Sequence, residues 1–104
     1  MMVTGRSEMV TDGPVDGRLS LRLYVAGNAP NSLRAIANAR AICEQHFASG
    51  YDLELVDLMD QPLRALSDGI VVTPTLIKLS PPPVLRIIGS LSDAAQVLMT
   101  LVGQ

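Results

Sequence analysis

The chain of 104 residues holds one cysteine, Cys43, one histidine, His46, only three aromatic residues (Tyr24, Phe47 and Tyr51) and no tryptophan. A single cysteine rules out an internal disulfide and a cysteine-rich zinc site. With 48% hydrophobic residues and so few rings, the core must be aliphatic, built from Leu, Val, Ile and Ala. Charge of one sign is also lacking. Eight basic residues against ten acidic give a net charge of −2, which leaves no electrostatic footprint for nucleic acid or a membrane surface. No segment reaches the roughly 18 consecutive apolar residues of a membrane-spanning helix. Residues 1–17 show neither the apolar run of a signal peptide nor a helical or strand period, and read as a flexible N-terminal extension before one domain at 18–104. The chain reads as cytoplasmic.

What is present is a clear alternation of periods. Leu19, Leu21, Leu23 and Val25 alternate with Ser20, Arg22 and Tyr24, a strand with one apolar face. The turn Gly27-Asn28-Ala29-Pro30-Asn31-Ser32 follows, with Asn31 or Ser32 as the candidate helix cap. Leu33, Ile36, Ala39 or Arg40, Cys43 and Phe47 recur at spacings of three and four, predicting a helix to about Ala48. Asp52 to Leu58 reads as a second strand, with Leu53, Leu55 and Asp57 on one face and Glu54, Val56 and Leu58 on the other. A strand–helix–strand unit of this length implies parallel strands joined by a right-handed crossover.

Pro62 suits the first turn of a short helix carrying Leu63 and Leu66 and closing near Asp68-Gly69. Thr75 to Leu79 and Val84 to Ile88 flank Ser80-Pro81-Pro82-Pro83, the pattern of an antiparallel hairpin with a stiff turn. Ser92 is the candidate cap of a last helix marked by Leu91, Ala95, Leu98 and Leu101 or Val102. Thr73-Pro74 stands at the start of the third strand, where proline is tolerated. In the order strand–helix–strand–helix–strand–strand–helix, a proline at that place matches the cis-proline of the thioredoxin layout, so a cis bond is expected at Pro74.

Redox chemistry on that scaffold requires a low-pKa cysteine at the start of the first helix. The corresponding loop, Gly27 to Ser32, contains no sulfur. Cys43 lies about three turns further on, on the apolar side, and reads as a small buried hydrophobe. His46 sits where a helix C-terminus favours it. Asp57, Asp60 and Asp68 match no calcium-loop spacing, and they read as loop and capping residues. No catalytic residue, metal site or cofactor site emerges, and non-enzymatic binding is the default. A thiol-dependent enzyme acting through Cys43 is the alternative that these residues disfavour.

Three stretches carry a family resemblance. Leu23-Tyr24-Val25-Ala26-Gly27-Asn28-Ala29-Pro30-Asn31-Ser32 is similar to the opening strand and turn of the KaiB family. Thr73-Pro74-Thr75-Leu76-Ile77-Lys78 resembles its central proline motif, and Pro81-Pro82-Pro83-Val84-Leu85-Arg86-Ile87-Ile88-Gly89 its triple-proline hairpin. The resemblance spans residues 19–102. It implies a small non-enzymatic protein of a circadian oscillator that binds a KaiC-type ATPase ring and helps engage KaiA or a sensor histidine kinase. It also implies fold switching between a tetrameric βαββααβ ground state and a monomeric thioredoxin-like βαβαββα state with a four-stranded mixed sheet. Arg34, Lys78 and Arg86 match basic positions associated with the partner interface, the last two on one hairpin.

Departures from the family pattern cluster in two places. Leu85 stands where a second arginine is common and Glu54 where lysine is usual, which removes positive charge and favours, as an alternative, a divergent relative with a non-clock partner such as a sensor kinase or a stress pathway. Thr100 and Val102 replace a glycine and an aspartate in the region that switches. Good or neutral helix formers at Ala94, Ala95, Gln96, Leu98 and Met99 support a helix there, with Leu91, Ala95, Leu98 and Val102 on one face. The expectation is therefore the thioredoxin-like state, as a monomer.

Overall fold

A computed structural model describes residues 18–102; the extension expected at 1–17 lies outside the described residues. The chain forms β1 (Leu19–Val25), α1 (Pro30–His46), β2 (Tyr51–Asp57), α2 (Pro62–Asp68), β3 (Thr75–Ser80), β4 (Leu85–Ile88) and α3 (Ala94–Leu101). The four strands make one mixed sheet in the order β2-β1-β3-β4. β1 and β2 run parallel in the register Leu21↔Leu53 and Leu23↔Leu55. β3 runs antiparallel to both β1 and β4. This is the thioredoxin-like βαβαββα arrangement, and residues 94–101 are helix.

The period of two in β1 decides which side chains meet. Leu19, Leu21, Leu23 and Val25 all face one side, where they join Leu76 of β3, Ala35, Ala39, Ile42 and Cys43 of α1, and Val97 and Leu101 of α3 in the main core. The opposite face holds a smaller cluster of Tyr24, Val56 and Ile77, with Leu58, Ile70 and Leu79 packed against it. α2 crosses that second face.

Several local expectations shift in register. The cap of α1 is Ala29, with Pro30 in the first turn, and neither Asn31 nor Ser32 caps it. Pro30 needs no amide partner there, which removes one of the free donors that a cap would satisfy. The helix ends at His46, and its buried stripe runs through Ser32, Ala35, Ala39, Ile42 and Cys43, while Leu33 is exposed. Small residues at 35 and 39 let α1 sit close on the sheet, a preference that size rather than hydrophobicity sets. In α3 the cap is Asp93, whose side chain accepts the Gln96 amide. Val97 and Leu101 are buried there, while Val102 is about half exposed. Leu91 joins Val97 and Leu101 in the core from a left-handed backbone conformation at φ 63°.

Candidate functional site

The turn after β1 and the start of β3 come together at one end of the sheet. Ser32 is buried, and its hydroxyl accepts the amide of Ala26 at 3.0 Å. Asp57 Oδ1 accepts the amides of Gly27 at 3.0 Å and Met59 at 2.9 Å, tying the turn to the end of β2. Gly27 takes φ 56°, and a Cβ there would stand 3.4 Å from the Met59 side chain. The Thr73-Pro74 peptide is cis, as are Ser80-Pro81 and Pro82-Pro83. Thr75 Oγ1 donates to the Val72 carbonyl at 2.7 Å, closing the loop that leads into β3.

The turn that a redox enzyme would furnish with thiols is therefore built from backbone, Asn28 and Asn31. Cys43 is completely buried between α1 and the sheet, and burial pushes its thiol up to about 11. A thiol so placed stays protonated and shielded. Asp57, Asp60 and Asp68 serve different places: Asp57 holds the turn, Asp60 sits in the bend before α2, and Asp68 ties α2 to Arg22 and Tyr24 of β1. No group of three or more metal-ligating side chains converges among the described residues.

The basic residues expected at an interface do not share one surface. Arg34 is exposed on the first turns of α1 and donates to Asn31 Oδ1 at 2.7 Å. Arg86 pairs with Ile77 and so projects to the α2 face, where it donates to the carbonyls of Asp68 and Gly69 and is otherwise exposed. Lys78 pairs with Leu21 and Leu85, on the α1–α3 face, and is only 2% exposed. The expected Lys78–Arg86 hairpin surface is thus split by the pleat: paired residues share a face, successive residues along a strand alternate, and Arg86 pairs with Ile77, the neighbour of Lys78. Thr100 donates to the Gln96 carbonyl within α3, and Val102 closes that helix.

A polar cluster that sequence alone did not assemble fastens α2 to the sheet. Arg22 donates from Nε to Glu54 at 2.7 Å and from Nη1 to Asp68 at 3.0 Å. Arg64 reaches Glu54 at 3.0 Å, and the Tyr24 hydroxyl donates to the same Asp68 oxygen that Arg22 contacts. The Tyr24 hydrogen bond, then Arg22, hold the Asp68 carboxyl below its ordinary value, and Arg22 does the same for Glu54. The only signal in the sequence was opposite charge at Arg22 and Glu54, and that acquires meaning once the β1–β2 register sets them side by side.

This organisation has relatives. The family model for the KaiB domain matches residues 22–102. The circadian clock protein KaiB3 of Synechocystis sp. is 48% identical over 84 residues, covering 81% of this chain and 82% of the relative. A circadian clock oscillator protein KaiB of Prochlorococcus marinus is 53% identical over 81 residues, covering 78% and 77%. Among solved structures, the N-terminal domain of Synechococcus elongatus SasA superposes with a TM-score of 0.70 at 27% identity, covering 92% of this chain and 94% of that domain. Chloroplastic thioredoxin z superposes equally well at 18% identity, covering 85% and 79%, a likeness of fold alone.

Proposed function

Because the chain belongs to the KaiB family, with a clock-related protein-interaction role, we propose that it is a non-enzymatic, cytoplasmic module that docks onto a KaiC-type ATPase ring. KaiA or a sensor histidine kinase then engages the docked complex. The observation that carries this reading is the sulfur-free turn from Gly27 to Ser32 on a thioredoxin scaffold, beside a lone cysteine that is buried and protonated. Such a scaffold retains a rigid, shaped end and has lost the nucleophile, which leaves recognition as its use. Arg34, exposed next to that turn, supplies a charged contact, and Arg86 a second on the other face. Lys78, being buried, stays outside the contact set of this fold state.

The test is a pull-down of the full chain with a KaiC-type ATPase from the same organism. The wild type should co-purify with the ring, and Arg34→Glu should weaken binding by about tenfold or more while leaving the amide spectrum of the fold intact. A wild-type chain that never binds the ring overturns the proposal. A second reading, a non-clock partner, is favoured by Glu54 and Leu85, where positive charge is absent from the proposed surface. Rhythms that persist after deletion of the gene would select it.

A further inference from the structure

Among the described residues, Lys78 is the one charged residue sealed in the interior, at 2% exposed. The two other buried polar residues are satisfied. The Ser32 hydroxyl accepts the Ala26 amide, and the Thr75 hydroxyl donates to the Val72 carbonyl. The Lys78 ammonium, by contrast, makes no hydrogen bond or ion pair with any described residue. Almost no water reaches it, and a charge held away from water is costly unless an opposite charge meets it. The position calls for a carboxylate.

The described carboxylates are committed elsewhere. Asp52, Glu54 and Asp68 bind arginines, Asp57 and Asp93 accept backbone amides, and Glu44 accepts the Tyr51 hydroxyl. Asp60 lies in the bend after β2, at the Gly27 end of the sheet. The acids that remain, Glu8, Asp12 and Asp16, all precede β1. Lys78 is the register partner of Leu21, three residues after Arg18, so it sits close to where residues 1–17 join the domain. Asp16-Gly17, just before that junction, is a dipeptide that favours a tight reversal. A two-residue reversal there sets position 12 level with Leu21, and hence with Lys78. Both edges of β1 are taken, by β2 and β3, so a returning segment has to lie on a face of the sheet rather than within it.

We propose that residues 1–17 fold back at Asp16-Gly17 and strap the triple-proline end of the α1–α3 face, with the Asp12 carboxylate paired to the buried Lys78 ammonium. The inference is independent of the ATPase reading. A double-mutant cycle in urea on the full chain tests it, with Asp12→Asn, Lys78→Met and both together. Asp12→Asn alone should raise the unfolding constant about tenfold or more, because it leaves the buried ammonium unpaired. In the Lys78→Met background the same change should have no effect. Lys78→Met itself should fold, since it puts an apolar chain of similar length in place of a buried charge.

A spin label on Thr11→Cys reads the location; the buried Cys43 leaves the new thiol as the one that reacts. It should broaden the amides of Lys78 and Leu85, and Asp12→Asn should remove that broadening. An Asp12→Asn chain as stable as wild type overturns the proposal, as does an equal loss in both backgrounds or broadening that survives Asp12→Asn. So does stabilisation by added phosphate that Lys78→Met abolishes, which would mark an anion from solution as the occupant.

Discussion

Asp68→Asn isolates the charge that fastens α2 to the rest of the molecule. Asp68 is the last residue of α2, where the helix dipole disfavours a carboxylate. It is kept there by Arg22 at 3.0 Å and by the Tyr24 hydroxyl. Asparagine is nearly the same size and still accepts from Tyr24, so the substitution removes the ion pair and little else. The side chains of Arg22 and Asp68 are 24% and 27% exposed, between the limits of a surface pair and a buried one. Exposed pairs contribute up to about 1 kcal/mol and breaking buried ones costs about 3–5 kcal/mol. The expected loss at pH 7 is therefore about 1–2 kcal/mol. In urea, with a slope of about 1 kcal/mol per molar for a domain this small, the midpoint falls by about 1–2 M.

The pH dependence of that loss carries a sign. The folded Asp68 carboxyl sits below its ordinary value, because the Tyr24 hydrogen bond and Arg22 favour the charged form. Its contribution is fully present above the unfolded carboxylate value near 4 and is lost as pH falls through the lower folded one. The gap between wild type and Asp68→Asn should thus be constant from pH 5 to 8 and close in stronger acid. Urea titrations followed by circular dichroism at pH 7 and pH 3 measure both numbers. A gap below about 0.3 kcal/mol at pH 7, or one that persists unchanged in acid, would refute the reasoning.

Two further outcomes follow from other parts of the fold. With its thiol held near 11, Cys43 has about one molecule in a thousand ionised at pH 8, so a chromogenic disulfide reagent should label it only after denaturant is added; labelling of the native protein at the rate of free cysteine would contradict the burial. Asp93→Ala removes the side chain that accepts the Gln96 amide and should cost α3 about 1 kcal/mol, seen as faster amide exchange across residues 94–101 and no change in β1.

The element order was legible because periodicity is local. Alternation in Leu19–Val25, the three-and-four spacing after Pro30 and the proline-bounded hairpin each fix an element from its own residues. Faces of helices were harder. Leu33 is more apolar than Ala35, and yet Ala35 is buried and Leu33 is exposed. Close packing of α1 on the sheet selects small side chains there, and no single-helix pattern carries that preference. In α3 the inward residues are Val97 and Leu101, and Leu91 joins them in the core from a left-handed backbone conformation. Lys78 and Arg86 looked like neighbours on one hairpin because sequence gives their strands but not the pairing, and the pairing Ile77↔Arg86 and Lys78↔Leu85 sends them to opposite faces.

By itself the sequence determined what this protein lacks and which scaffold it builds. One cysteine far from the Gly27–Ser32 turn leaves that turn without a thiol, and composition and period alone establish a small aliphatic α/β domain. Only the tertiary structure decided where charge and apolar surface come to rest. Arg22, Glu54, Arg64 and Asp68 become one cluster only when the β1–β2 register and the crossing of α2 bring distant positions within 3 Å. That cluster claims the inner side of α2 and leaves Leu63 and Leu66 in water. Local propensity can choose a helix, but which side of it faces solvent depends on the surface it lands on.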